Sequence, residues 1–442
     1  MKLGVISLGC DKATVDSERL VGELVGHGAV ITPDLPHADV ILVNTCGFID
    51  AAKQESIDAI LGAARLKQDG VVKAVVAVGC LVQRYRQELA AEIPEVDLFL
   101  GFSDLHHLVP ALAERGLLAD PVARHPGVRQ FLGAEPHVRY LKISEGCDHT
   151  CAFCAIPLMR GKHRTEPLER LVREAQQLEA QGAREINLVA QDLGHYGRDL
   201  GPAGPKLPDL LEALLRDTSV PWYRLLYVYS AGLTERLVAL IGGESRIVPY
   251  LDIPIQHASD RMLERMRRPE RRDTLRRKVA WLRGAIPDLA LRTTCLVGFP
   301  GETDGDFRAL LAFLEEVQFD RLGAFAYSPQ EGTRAAQYAD DVPDEVKRER
   351  LEELLEVQRA ISAERLTRFV GRDALALVDR IADPDEDGGA PGTTHVARVP
   401  WQADDVDGVT YVVNGGWAEP GSFLKVRLTA SEDYDFRAVA LT

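Results

Sequence analysis

A chain of 442 residues is too long for one ordinary hydrophobic core, so two or three domains are expected. With 46% hydrophobic and 27% charged residues and no low-complexity tract, the composition excludes a disordered or fibrous chain. A net charge of -15 argues against a free-standing nucleic-acid binder, which needs a basic excess for phosphate contacts; it suits a basic partner, or simply solubility.

The N-terminal stretch MKLGVISLGCDKATVDSE turns polar too soon for a cleavable leader, and no run of 18 apolar residues occurs elsewhere. A cytoplasmic protein with no membrane partner is expected. Over residues 1–117, KLGVISLGC, ADVILVNTC and KAVVAVGC read as strands buried on both faces. SERLVGELVGHG and AKQESIDAILGAARL read as helices between them, which predicts a parallel α/β sheet domain. ADPVARHPGVRQFLGAEPH then reads as a linker. Over residues 133–364, six strand patterns follow: RYLKISEG, EINLVAQD, YRLLYVYS, PYLDIPIQ, ALRTTCLVGFP and RLGAFAYS. Amphipathic helical patterns separate them. Six β/α repeats predict an open, partial (βα)6 barrel with its functional groups at the C-terminal strand ends. A long charged helix, with Pro343 near its start and Gly371 past its end, closes the section. Residues 366–442 carry five short alternating strands split by Gly, Pro and Asp, which predicts a small antiparallel β-barrel. This tail has 7 Lys+Arg against 13 Asp+Glu, so it is acidic by 6.

The cysteines are 10, 46, 80, 147, 151, 154 and 295, an odd set that argues for metal or catalysis and against a disulfide framework. Cys147, Cys151 and Cys154 form a C-x3-C-x2-C run at the C-terminal edge of the first barrel strand. Three thiolates in one tight loop suit a soft metal centre: zinc, copper(I) or iron–sulfur. A structural zinc needs a fourth ligand, which His149 or His163 could supply. A four-iron cubane held by three cysteines leaves one iron open to a ligand that is not protein, whereas an electron carrier closes that iron with a fourth Cys. Cys10, Cys46 and Cys80 each stand just after an apolar run. Parallel strands present their C-terminal ends on one sheet edge, where ligands bind, although three unrelated buried cysteines would give the same pattern. Cys295 lies inside an apolar strand and reads as core.

The run EGCDHTCAFCAIPLMRGKHR at the end of a first barrel strand resembles the signature of the radical S-adenosylmethionine (SAM) enzymes. The resemblance implies that SAM chelates the open iron and is cleaved there to a 5′-deoxyadenosyl radical, with Phe153 shielding the cluster or merely packing its loop. SLGCDKATVDSE, NTCGFIDAAKQES and VGCLVQRY resemble the N-terminal domain of the methylthiotransferases, and the tail resembles their TRAM barrel. That resemblance implies a second 4Fe-4S cluster on Cys10, Cys46 and Cys80, bearing the sulfur to be inserted. Two branches compete: one modifies a tRNA adenosine, the other the β-carbon of an aspartate in the twelfth protein of the small ribosomal subunit. Glu145-Gly146-Cys147-Asp148, Ala190-Gln191-Asp192 and DIPIQHAS look like the ribosomal branch, while Asp11 and Ala13 depart from its usual Pro and Asn. An acidic tail also suits a basic ribosomal protein better than tRNA. The partners implied are that protein or the small subunit and a flavodoxin-like electron donor, without tRNA.

Further candidates are Gln191 and Asp192, at the end of the second barrel strand, for SAM. Arg160, Lys162, His163 and Arg164 are a basic run that either steers a carboxylate or is a solvated loop. His257 either lines the site or is structural, and the glycines of VGFPGET (297–303) admit SAM or make a turn.

Overall fold

The computed structural model describes residues 1–118, 128–133, 135–383 and 392–441. The first unit comprises β1 (Lys2–Ser7), α1 (Asp11–Gly26), β2 (Val30–Ile31), β3 (Val40–Thr45), α2 (Asp50–Gln68), β4 (Ala74–Gly79), α3 (Cys80–Glu92), β5 (Leu98–Leu100) and α4 (Leu108–Glu114). Its strands pair in parallel in the order β2-β1-β3-β4-β5. Every residue of β3 and β4 is buried, as the unbroken apolar runs predict. Leu20, Leu24 and Leu112 of α1 and α4 cover one face; Ile60, Leu81 and Leu89 of α2 and α3 cover the other. The chain reverses its winding between β1 and β3, so the crevice beyond their C-terminal ends is the natural ligand position. Strands β2 and β5 have two and three residues, too few to show a periodic pattern.

The linker reading needs correction where the structure describes that segment; residues 119–127 and Ala134 lie outside the described residues. Arg129 is buried, donating from Nε to Glu18 (2.6 Å) and from Nη1 to Glu174 (3.0 Å). A loop rich in Gly and Pro thus carries a guanidinium that joins α1 to the central unit, a long-range pairing that local composition does not report.

The central unit runs through β6 (Val138–Lys142), β7 (Ser144–Glu145), α5 (Ile156–Arg160), β8 (Arg164–Thr165), α6 (Leu168–Ala180), β9 (Glu185–Val189), α7 (Leu207–Asp217), β10 (Trp222–Leu225), α8 (Glu235–Gly243), β11 (Ile247–Asp252), α9 (Asp260–Arg265), α10 (Arg272–Ala285), β12 (Ala290–Val297), α11 (Asp304–Val317), β13 (Arg321–Ala326) and α12 (Asp344–Leu366). Six strands pair in parallel in the order β13-β12-β11-β10-β9-β6, an open barrel. Alternate residues such as Leu141, Leu188, Leu225 and Leu291 face the helices and build one continuous core with Leu171, Leu210, Leu237 and Leu310. Helix α11 starts at a capping box in which the Thr303 hydroxyl accepts from the Asp306 amide and the Asp306 carboxylate accepts from the Thr303 amide.

The tail forms β14 (Asp373–Ile381), β15 (Thr393–Arg398), β16 (Thr410–Val413), β17 (Phe423–Ser431) and β18 (Phe436–Ala440), a closed barrel in the order β14-β15-β16-β18-β17. It is not wholly antiparallel: β16 and β18 run parallel. Five strands cannot alternate in direction all the way round a closed ring, so one pair must break the alternation. The small barrel sits under the N-terminal ends of the central strands. Phe369, Trp401 and Phe436 share a core with Val138, Trp222, Tyr250 and Ala290. Glu185, fully buried at the start of β9, accepts from Arg224 (2.7 Å) and from Arg398 of β15 (2.6 Å). The Tyr250 hydroxyl donates to Asp407 at 2.7 Å. The tail's acidity is therefore partly turned inward, since Asp379 and Asp407 are spent on Arg398 and Tyr250.

Candidate metal centres

Cys10 is the N-cap of α1, three residues after β1; Cys46 follows β3; Cys80 opens α3 directly after β4. All three therefore lie on the C-terminal edge of the first sheet, at and beside its winding reversal. Gly79 has φ +102°, and a Cβ there would sit 2.5 Å from the Thr45 carbonyl oxygen, so only glycine lets the backbone turn so sharply into Cys80. Gly146 does the same before Cys147: φ is +77° and a Cβ would lie 2.1 Å from the Lys162 carbonyl oxygen. The hydroxyl of Ser56 accepts from the Cys46 amide (2.9 Å) and donates to its carbonyl (3.0 Å), pinning the middle cysteine.

The second triplet hangs on a loop clamped at several points. The Cys147 amide donates to Gly161 (3.0 Å), the Ala152 amide to Met266 (2.9 Å) and the Cys154 amide to Cys151 (3.2 Å). Phe153 packs edge-on to Phe299 at 6.4 Å between centroids, within a small core beside the loop. Burial, the largest cause in each case, pushes the thiols of Cys80 and Cys147 up to about 11 and that of Cys154 up to about 12. Groups so placed become thiolates only when a cation compensates them, as a metal centre does.

His149 and His163 do not complete a zinc site. His149 stacks on Tyr229 (3.9 Å between centroids), and its Nε2 meets Asp192 at 2.8 Å. His163 is buried against Thr165 at 3.2 Å. Among the described residues, the groups whose ligand atoms all lie within 4.8 Å of one another are His149/Asp192/His195 and Glu135/His137/Asp379, neither containing a cysteine. A tetrahedral zinc would draw its sulfurs to about 3.8 Å from one another, and no three cysteine sulfurs among the described residues lie within 4.8 Å of one another. Neither compact group is itself a cation site. The His149 and His195 rings stack face to face at 4.4 Å and Arg198 bonds to His195 Nε2, while Arg398 already neutralises Asp379.

The two triplets face each other across the junction of the first and central units. Cys80 packs with Ala155, Met159 and Ile156 of the other triplet's loop and helix. Arg160, at the end of α5, is the tie. Its Nη1 donates to Asp16 of α1 and, at 3.2 Å, to Glu145, and its guanidinium lies 4.0 Å over the Phe102 ring. Lys142 joins the same network through Asp16 and Glu145. Burial opposes the ionisation of Asp16, yet Lys142 and Arg160 outweigh it and hold the carboxyl below the ordinary range. Arg160 is thus neither a solvated loop residue nor free to steer a carboxylate. Of the rest of the basic run, His163 is buried and Lys162 and Arg164 are exposed.

The sequence places Gln191 and Asp192 at the end of the second barrel strand; in the structure β9 ends at Val189 and they lie two and three residues beyond it. Gln191 Oε1 is buried without a hydrogen-bond partner. Asp192 is saturated by His149 and by the amides of Gly194 (2.9 Å) and Tyr229 (3.1 Å). His257 is fully buried, accepting at Nδ1 from the amides of Ala258 and Ser259 (both 2.9 Å), with its Nε2 3.4 Å from Glu302. Gly298 and Gly301 have φ of +69° and +83° and turn the chain after β12. Cys295 lies in the core.

Sequence reasoning missed four residues. Lys12 Nζ lies 3.3 Å over the Tyr227 ring, and the Tyr227 hydroxyl donates to Asp11 at 3.1 Å, so both contacts adjoin Cys10. Tyr227 has φ +63°, rare for a bulky residue and costing about 1–3 kcal/mol, which the surrounding packing must hold. Arg268 places Nη1 3.8 Å from Cys151 Sγ and its guanidinium 4.0 Å over the Tyr229 ring. The available signal was position alone: Lys12 follows Cys10 by two residues, and Tyr227 and Tyr229 end a barrel strand.

An open six-stranded parallel barrel with a three-thiol loop after its first strand is the architecture of a radical SAM protein, and residues 141–314 match the Radical SAM superfamily. Residues 2–101 match the uncharacterized protein family UPF0004 and residues 370–441 the TRAM domain. Among solved structures, the radical SAM methyltransferase TsrM from Kitasatospora setae, with tryptophan and a SAM analogue bound, superposes with TM-score 0.55 at 14% identity, over 73% of this chain and 72% of that one. The ribosomal protein uS12 methylthiotransferase RimO of Geobacter sulfurreducens is 44% identical over 98% of this chain and 97% of the relative. RimO of Desulforudis audaxviator is 45% identical over 100% of this chain and 97% of the relative. RimO of Anaeromyxobacter sp. strain K is 46% identical over 97% of this chain and 91% of the relative. The chain belongs to the RimO family of methylthiotransferases.

Proposed function

We propose that this chain is a radical SAM methylthiotransferase that modifies ribosomal protein uS12 at the β-carbon of an aspartate. The observation that carries the reading is the convergence of two three-thiol sets on one junction, joined by Arg160. Cys147, Cys151 and Cys154 hold one 4Fe-4S cluster and Cys10, Cys46 and Cys80 a second. When bound, the first with SAM supplies a hydrogen-abstracting radical and the second supplies the sulfur to be methylated and inserted.

The chain's own residues orient and insulate. Gln191 Oε1, buried and without a protein donor, is the acceptor offered to SAM. Asp192 acts one step back, holding His149 against Tyr229 and so fixing the cluster loop. Tyr227 and Lys12 close the junction beside Cys10, and holding both sulfur centres about one substrate is a proximity effect. A flavodoxin-like carrier supplies electrons, the setting is cytoplasmic, and tRNA is not the substrate; the seating of the acidic TRAM barrel under the central unit supports the last point. No helix among the described residues is long and apolar enough to cross a membrane.

The test is mass spectrometry of uS12 and of digested tRNA from cells with and without the gene. A methylthio mass shift on uS12 that needs the gene is expected. A shift confined to nucleosides would overturn the substrate.

A further inference from the structure

Two adjoining surface cavities of about 500 and 480 Å³ open beside the loop of Cys147, Cys151 and Cys154, sharing Glu264 and Arg267. Arg198, Arg267 and Arg334 on their walls are exposed, and Arg265 and Arg271 half-buried. In a chain of net charge -15, such a concentration of guanidinium is local and against the grain. Elsewhere on the surface, Arg276, Arg308 and Arg359 are neutralised by Glu316, Glu353 and Glu356. Of the cavity guanidiniums, Arg261 pairs with Asp306 and Arg268 lies 3.4 Å from Glu270, whereas Arg198, Arg265, Arg267, Arg271 and Arg334 have no carboxylate within ion-pair distance among the described residues. Arg198 bonds to His195, Arg265 to the Pro300 carbonyl and Arg271 to the carbonyls of Arg268 and Glu270.

The floor of the larger cavity gives this charge a purpose. Asp148, His149 and Thr150 of the cysteine loop line it, as does Arg268, whose Nη1 is 3.8 Å from Cys151 Sγ. A partner seated there is one side chain away from a thiol of the triplet. Redox encounters use small, wet, charge-guided interfaces in which surface charge sets the rate of approach.

We propose that this arginine face is the docking surface for an acidic one-electron carrier protein, which delivers its electron to the centre held by Cys147, Cys151 and Cys154. The carrier is oxidised by one electron and the centre reduced by one; no bond is made or broken and no proton is required. The inference rests on the metal-centre reading above. RNA, the other polyanion at hand, is the competing occupant. Carrier is favoured because the face surrounds the one loop that must be reduced.

The experiment uses the reconstituted holoenzyme and its Arg267→Gln/Arg334→Gln variant, with an acidic flavodoxin as probe. Binding is measured at low and high salt, and reduction is followed by the loss of cluster absorbance with reduced flavodoxin or with dithionite. The variant is expected to bind flavodoxin on the order of tenfold more weakly and to be reduced by it correspondingly slowly, with dithionite reduction unchanged. Binding should also weaken with salt in the parent more than in the variant. Equal flavodoxin affinity in both proteins would overturn the assignment, as would tight binding of an RNA oligonucleotide lost in the variant while flavodoxin reduction persists. If dithionite reduces neither protein, the metal-centre reading falls, and the binding comparison still decides the docking face.

Discussion

Cys147, Cys151 and Cys154 sit on one clamped loop, whereas Cys10, Cys46 and Cys80 are separated by whole βα units and meet because three parallel strands end at one sheet edge. The first set needs only its loop and the backbone bonds that hold it. The second needs a complete sheet, the turn at Gly79 and the Ser56 clamp on Cys46 before its thiols share a crevice. One is a local motif and the other a product of topology, so they should fail differently.

Breaking each set separately gives the largest effects. Cys151→Ala should abolish SAM cleavage, by at least about a hundredfold, while iron falls from about eight to about four per chain. Cys46→Ala should lose the same iron yet keep SAM cleavage, and methylthio transfer to uS12 should vanish. Iron analysis and chromatography of the cleavage products read both, and if Cys46→Ala lost cleavage too, the independence of the sets would be refuted.

Next comes the tie between them. Arg160→Leu strands Asp16 and Glu145 with less compensation and should cost about 3–5 kcal/mol of holoenzyme stability in denaturant unfolding. Adding Asp16→Asn should recover part of it, because the uncompensated charge is then removed. Additive losses would show that Arg160 acts by packing on Phe102 alone.

The smallest effect separates the site from the floor beneath it. Burial, with Asp405 and Glu135 nearby, pushes the Asp404 carboxyl up to about 7, despite Arg398 at 3.7 Å. Between its unfolded value of about 3.9 and 7 the folded chain binds the extra proton, so stability falls as pH rises through that window. Asp404→Asn mimics the protonated form. It should gain about 1–2 kcal/mol on the parent between pH 5 and 8 without altering cluster content, as thermal unfolding and iron analysis would report.

Periodicity carried the two larger sheets well, because β3 and β4 are apolar almost throughout and the barrel strands set apolar residues at alternate positions facing the helices. It was silent on β2 and β5, which are too short to have a period, and on the parallel β16/β18 pair, which is a property of ring closure. The cysteines were legible because their spacing, or their position after a strand, is itself the signal. Arg160 and Arg129 were not. Each owes its role to an acid more than 100 positions away, Asp16 for one and Glu18 for the other. The same holds for Arg268 beside Cys151, brought there by the turn after α9.

Helix α5 starts two residues beyond Cys154 and ends in Arg160, which grips Asp16 of the first unit. Swinging the first sheet away from the barrel would therefore drag the cysteine loop along with it. The gap between the two cysteine triplets is thus bounded by one tied network, so a substrate loop is expected to thread into it rather than be gripped by closing jaws.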